Sequence, residues 1–353
     1  MPRSLLLAPV LGVAVLVLAG CGDDAEPTAD GDPTATTAPA AETGDDDTGA
    51  DPADGDQADG VTTTTAAAAE SGTRVVTDDR GTEVEVPASP ERIVVGDVAL
   101  LDAALALDLP VVGVPGLTDR EAVPPYLAEL AADVDELGVR DSFDLEAVAA
   151  ARPDLLLVGT KGLEQLPDPG VLDAIAPVVA LDSSTARPWR ELLVAVADAA
   201  GVADRADELI AAWDADVAAT ADRLGDALAT EVSVVRCFGP SCRYLPGGTS
   251  FSGAILDEIG VARPEPQRSD PEGRAFVEVS PERVDLLGGD VIVVFGTDAE
   301  ASLAALRDNP LWESLSAVLA GEVYDVAPDP WFFGNVLAAR VILDDVERIL
   351  DRS

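Results

Sequence analysis

Histidine is absent from the 353 residues, and lysine occurs once, at Lys161. Without histidine the chain lacks the commonest general base and the commonest neutral metal ligand. That excludes Ser-His-Asp and Cys-His nucleophilic sets and the zinc or manganese centres built on imidazole. No Gly-x-Ser-x-Gly elbow, Ser-x-x-Lys pair or phosphate-cradling Gly-x-x-x-x-Gly-Lys loop is present either, so the sequence does not read as an enzyme. Basic residues are few: 22 Lys and Arg stand against 66 Asp and Glu, a formal charge of −44. A chain with so little clustered positive charge is no partner for nucleic acid. Aromatic residues make up 4%, and beyond the first twenty positions no long apolar run exists, so the chain is not itself a membrane channel.

What the chain does have begins with an export signal. Arg3 supplies a positive start, Leu5 to Leu18 form a short apolar stretch, and Leu18-Ala19-Gly20-Cys21 closes it. This ending looks like a bacterial lipobox, which implies a signal peptide over 1–20, lipidation of Cys21 and attachment to the extracytoplasmic face of the cell membrane through the lipid alone. Residues 22–72 are mostly Ala, Asp, Thr, Gly and Pro, with 14 acidic and no basic or aromatic residues. Such a segment cannot bury enough apolar surface to offset its ordering entropy, and its like charges extend it. Residues 21–72 are therefore expected to be an acidic linker between membrane and folded body. Two cysteines remain, Cys237 and Cys242, around Phe238-Gly239-Pro240-Ser241. In an exported protein a local disulfide is the expectation, with two free buried thiols as the alternative.

With 48% hydrophobic residues, the remainder can fill the cores of two domains. A hairpin is expected over 74–86, turning at Asp79-Arg80-Gly81. Apolar strands at 93–95, 111–114, 155–158 and 178–181 alternate with helices near 98–107, 144–151 and 168–175. Apolar strands between helices predict a mostly parallel sheet covered on both faces. A helix from Pro188 to Gly201 and a longer one over 203–228, with Leu209, Trp213, Val217, Ala221, Leu224 and Leu228 on one face, follow. The alternation then resumes with strands at 232–235, 276–279, 291–294 and 323–326 and helices near 250–259, 281–287, 300–306 and 335–350. The fold class is α/β: two Rossmann-like lobes with mostly parallel sheets, over 73–187 and 230–353, joined through a helical connection at 188–229 that holds the single long helix.

A weak internal repeat relates the lobes. Asp144-Leu145-Glu146 leads into a short helix and the strand Leu155-Leu156-Leu157-Val158; Ser280-Pro281-Glu282 leads into another and the strand Val291-Ile292-Val293-Val294. Asp144 and Ser280 are expected N-caps, which puts Glu146 and Glu282 in corresponding first turns.

These segments, with Pro87-Ala88-Ser89-Pro90-Glu91-Arg92-Ile93-Val94, Pro124-Pro125-Tyr126-Leu127, Ile175-Ala176-Pro177-Val178 and Trp189-Arg190-Glu191-Leu192, resemble the class III solute-binding proteins of ABC importers, which carry iron-siderophores and cobalamin. Ile-Ala-Pro followed by Trp is closer to the siderophore branch. The resemblance implies a ferric siderophore held between the lobes, no intrinsic cofactor or metal site, a permease with its ATPase as partner, and permease docking through Glu146 and Glu282. A receptor presenting both lobe tips is expected to be a monomer. A bulky, often anionic chelate wants arginine for charge and aromatics for shape. The candidates are Arg236, Arg243 and Tyr244 beside the cysteines, Arg274, Trp331 in Trp331-Phe332-Phe333, and on the first lobe Tyr126, Arg120 and Trp189. A cobalamin or haem receptor of the same fold is the alternative ligand reading, and a lipid-anchored surface protein with another role the alternative class.

Overall fold

A computed structural model of the chain describes residues 72–115, 123–139, 142–184, 187–238, 241–296, 304 and 306–351. Cys21, the acidic linker up to residue 71, Arg120 and most of the helix expected at 300–306 lie outside them. Among the described residues no helix is long and apolar enough to cross a membrane.

The first lobe opens with the antiparallel hairpin β1 (Thr73–Thr77) and β2 (Glu83–Pro87). Asp78 closes its turn by accepting hydrogen bonds from the Arg80 and Thr82 backbone N–H groups. There follow β3 (Ile93–Val95), α1 (Val98–Ala106), β4 (Val111–Val114), the short strands β5 (Asp135–Glu136), β6 (Gly138–Val139) and β7 (Ser142–Phe143), α2 (Leu145–Ala151), β8 (Leu155–Gly159), α3 (Thr160–Gln165), α4 (Gly170–Asp173) and β9 (Val178–Leu181). The main sheet runs β5-β4-β3-β8-β9 with every pair parallel. The strands are apolar throughout because both faces are covered. Side chains alternate between those faces. Ile93, Val95, Leu155, Leu157, Val179 and Leu181 point to one side; Val94, Leu156, Val158, Val178 and Ala180 point to the other, against Val148, Leu163 and Leu172.

Helices α5 (Trp189–Ala200) and α6 (Ala203–Leu224) lead to the second lobe. That lobe contains β10 (Val232–Phe238), β11 (Ser241–Tyr244), α7 (Phe251–Ile259), β12 (Val277–Val279), a 3-10 segment Pro281–Leu287, β13 (Val291–Phe295), α8 (Pro310–Glu313), α9 (Ser316–Ala320), β14 (Val323–Asp325), α10 (Pro328–Phe332) and α11 (Val336–Leu350). Its sheet runs β12-β11-β10-β13-β14; β13 is parallel to β10 and β14, whereas β11 is antiparallel to β10 and β12. The two-lobed α/β architecture is the expected one. Helix α6, at 1.5 Å per residue, spans about 33 Å. It stops at Leu224 instead of 228 because Gly225 takes φ 49°, and the chain goes on as a 3-10 turn over Gly225–Ala229.

The inward faces of both sheets share one core with α1, α5, α6, α7 and α11. Helix α6 packs against α5, α7 and α11, and α11 in turn packs against α1 of the first lobe. The long helix is thus seconded by the last one. At that second crossing Asp102 of α1 is fully buried, and its carboxylate accepts from the Leu337 and Ala338 backbone N–H groups at 2.9 Å each and from the Tyr126 hydroxyl at 3.1 Å. The first turn of α11 has orphan N–H groups and a positive dipole end, so a carboxylate from the other lobe suits it. Gly334 makes the approach feasible: a Cβ there would stand 3.1 Å from both the Asp102 carboxylate and the Tyr126 hydroxyl and 2.4 Å from the Ala338 Cβ.

Candidate ligand-binding site

Open α/β sheets bind ligands at the carboxyl ends of their strands. The lobes touch at a seam where Tyr126 and Asp102 meet the residues that open α11, and Phe332 and Phe333 directly precede that contact. In the first lobe β3 runs into Asp97, which caps α1 by accepting from the Leu100 N–H and also accepts from the Ser183 hydroxyl after β9. In the second lobe β10 ends in Arg236-Cys237-Phe238 and α10 brings Phe332 and Phe333 just before the α11 start that Asp102 holds.

Strand parity decides what β10 and β11 present. Their register sets Arg236 opposite Arg243, Cys237 opposite Cys242, and Val235 opposite Tyr244. Val235, Cys237, Cys242 and Tyr244 share the outward face and its core. Arg236, Phe238 and Arg243 therefore occupy the inward face, continuing the line of Val232 and Val234 beyond the end of the core. There guanidinium groups and rings interleave. Arg243 lies 4.0 Å from the Phe276 ring and 4.1 Å from Phe238, while Arg236 lies 5.6 Å from Phe238 and 3.6 Å from Phe332. All four distances are within cation–π range. Phe333 meets Phe332 edge to face at 5.0 Å. Arg236, Arg243, Phe276 and Phe332 line one cavity, with Leu245 and Phe251 among its other walls. Phe276 is 42% exposed, which is unusual for a phenyl ring in this chain.

Of the arginines and aromatics proposed from sequence, the structure brings Arg236 and Arg243 together at this cavity. Tyr244 must be corrected: one residue beyond Arg243, it turns to the opposite face and is 8% exposed. Trp331 must be corrected too. It is fully buried, its indole N–H donates to Asp345 at 2.8 Å, and its ring packs on Phe295, so the next residue, Phe332, takes the place expected of it. Arg274 is exposed and points to Asp270 and Glu272; its hydrogen bonds hold the Asp270 carboxyl down at about 2, while its neighbours Ala275 and Phe276 reach the cavity. Tyr126 sits at the seam with its hydroxyl committed to Asp102; burial first, then the Asp102 charge, raises its pKa. Trp189 is buried and donates to Glu258, as does Trp213 beneath it. Phe238 and Phe276 were not among the expected site residues. The spacing of two from Arg236 is the signal that identifies Phe238.

Cys237 and Cys242 form a disulfide in the structure, across the β10–β11 pair. Gly296 abuts it: a Cβ there would fall 1.7 Å from the Cys237 carbonyl oxygen, so no other residue fits. Glu146 and Glu282 are both exposed, each the second residue of the segment that returns to the strand beside its lobe's central strand, β8 beside β3 and β13 beside β10. The caps differ. Asp144 accepts from the Glu146 and Ala147 N–H groups, as expected, but the Ser280 side chain makes no cap bond and the Asn309 amide instead donates to the Pro281 carbonyl.

A family model described as periplasmic binding protein matches residues 93–330, from β3 to the start of α10. The chain belongs to that family. It is a class III member, of the ABC-importer substrate-binding kind, and not an enzyme. The probable siderophore-binding lipoprotein YfiY of Bacillus subtilis is 32% identical over 286 residues, which cover 78% of this chain and 87% of that protein. The achromobactin-binding periplasmic protein of Dickeya dadantii is 26% identical, over 74% of this chain and 86% of that one. Among solved structures, Staphylococcus aureus SirA complexed with staphyloferrin B superposes with a TM-score of 0.66 at 23% identity, covering 79% of this chain and 99% of SirA. This family member thus has the shared fold, and its second lobe carries the arginines and phenylalanines described above.

Proposed function

We propose that this family member is the exported, lipid-anchored substrate-binding protein of an ABC importer, that it captures a ferric siderophore at the lobe seam, and that it hands the chelate to a permease. The observation that carries the ligand reading is the interleaved array of Arg236, Arg243, Phe238, Phe276 and Phe332 at the carboxyl end of β10. Guanidinium edges supply directed charge and phenyl faces supply shape, which is what a preformed chelate asks of its receptor. Guanidinium and phenyl groups are not metal ligands, so such an array would grip the chelate's outer oxygens and rings. The names of YfiY and the achromobactin-binding protein favour the same ligand class. Cys21 would carry the lipid and residues 22–72 the tether. Glu146 and Glu282, one exposed carboxylate per lobe, would register a basic permease surface.

Fluorescence or calorimetric titration of the exported chain with ferric siderophores tests capture: saturable binding is expected, and binding of none would refute it. Replacing Glu146 and Glu282 together by Arg is expected to abolish uptake into cells while leaving chelate binding intact. Normal uptake by that double variant would remove the docking assignment.

A further inference from the structure

Resting on the capture reading above, the loop before β12 shows what holds one of the cavity's rings in place. Among the described residues the exposed large apolar side chains are all aliphatic except Phe276. Its ring faces the Arg243 guanidinium at 4.0 Å on the cavity wall, yet Phe276 stands in a loop, one residue ahead of the edge strand β12. A ring on an unrestrained loop would have to be ordered as the ligand arrives, and each side chain ordered on binding lowers affinity.

This loop is fastened at its start, its middle and its end. At the start the Gly247 N–H donates to the Gln267 carbonyl at 2.8 Å, and a Cβ on Gly247 would fall 2.6 Å from the Arg268 carbonyl oxygen, so glycine permits the approach. At the end the Thr249 hydroxyl donates to the Arg274 carbonyl at 2.8 Å. In the middle stands Asp270, its side chain 3% exposed. One of its carboxylate oxygens accepts from the Glu272 N–H at 3.1 Å and from the Arg274 N–H at 2.8 Å. The other accepts from a terminal nitrogen of the Arg274 guanidinium at 2.7 Å. Gly273, at φ 69°, lets the chain turn there, and its N–H donates to the Asp270 carbonyl at 3.0 Å. These donors all lie within the loop, so the carboxylate shapes the turn that ends two residues before Phe276. Bonds to an ionised carboxylate are of the stronger kind.

We infer that Asp270 and Arg274 are positioning residues: clipped to each other, they hold the loop so that Phe276 is set against Arg243 before the chelate arrives. Arg274, an arginine of the expected ligand set, thus serves the site through Phe276 and not by touching the ligand.

A double-mutant cycle in the full exported chain tests this, titrated with whichever of a ferric tris-catecholate, ferric citrate and a ferric trihydroxamate the wild type binds. Asp270→Ala is expected to weaken binding about fivefold, the scale of ordering one side chain. In a Phe276→Ala background the same change is expected to cost less than about twofold, because the ring it positions is gone. Asp270→Asn keeps an oxygen for the two backbone N–H groups and is expected to recover most of the loss. Arg274→Ala, at a half-exposed side chain, carries the same cycle if Asp270→Ala does not fold. Amide hydrogen exchange of the ligand-free chain reads the clip by itself: residues 272–276 are expected to exchange at least about tenfold faster in Asp270→Ala. Unchanged affinity, an equal loss with and without Phe276, or unchanged exchange overturns the inference. Faster exchange as expected, in a chain whose wild type binds none of the three chelates, overturns the capture reading instead.

Discussion

The two lobes follow one plan and depart from it next to the central strand. In the first lobe β3 is three residues long, ends at Val95, and the chain leaves through Asp97 into α1 before returning parallel as β4. In the second lobe β10 is seven residues long and is followed by the antiparallel β11. In the first lobe a crossover helix makes the connection to the neighbouring strand, and its carboxylates turn inward: Asp97 caps α1 and Asp102 holds α11. In the second lobe a hairpin makes that connection instead, and its side chains project past the core: Arg236, Phe238 and Arg243. The lobe with the helix frames the seam, and the lobe with the hairpin grips at it. Substitutions in the first should therefore register in stability and those in the second in ligand affinity.

The sharpest separation is expected from Asp102→Ala. It orphans the Leu337 and Ala338 N–H groups and the Tyr126 hydroxyl at a fully buried site. A loss of about 3 kcal/mol or more in urea unfolding should follow, given about 1–3 kcal/mol for each buried group left unsatisfied. Chelate affinity of the protein that remains folded should barely move. Exchanging Cys237 and Cys242 for Ala together acts on the other lobe. Opening so short a loop costs about 2 kcal/mol at most on chain-entropy grounds. Its clearer effect is expected on the affinity for a ferric chelate, since the paired strands that carry Arg236 and Arg243 lose a restraint; unchanged affinity would break the division between frame and grip.

The smallest effect is that of pH. Burial lifts the Asp102 carboxyl to about 6 in the folded chain, partly offset by its backbone N–H and Tyr126 donors. Its unfolded value is about 3.9. A folded value above the unfolded one means that the folded state binds the proton more readily. Stability from this group is therefore present at low pH and lost as pH rises through about 6. Between pH 7.5 and 5.5 the gain on acidification is on the order of 1 kcal/mol by linkage. Thermal unfolding of wild type and Asp102→Asn across that window checks it, since the increment should vanish in the variant.

Much of this frame was legible in the sequence. Apolar runs such as Leu155-Leu156-Leu157-Val158 and Val291-Ile292-Val293-Val294 announce strands buried on both faces, and the spacing of Leu209, Trp213 and Val217 announces α6. What was not legible depends on one residue of parity or on distant partners. Pairing Cys237 with Cys242 already implies Arg236 opposite Arg243 and sends Tyr244 the other way, yet the four-residue β11, with Arg243 at its centre, has no apolar alternation to mark it as a strand. Trp331 and Phe332 are adjacent, and only the Asp345 carboxylate reaching the indole N–H decides which goes into the core. Asp102 lies inside an otherwise apolar helix, and its partners are 24 to 236 positions away.

A crystal structure with a bound ferric chelate, its iron located by anomalous scattering, tests the central claim most directly. Iron is expected at the seam, with ligand oxygens on the Arg243 and Arg236 edges and a ligand face against Phe276 or Phe332. Iron held by first-lobe side chains alone, or on the outward face behind the Cys237–Cys242 bridge, would contradict it.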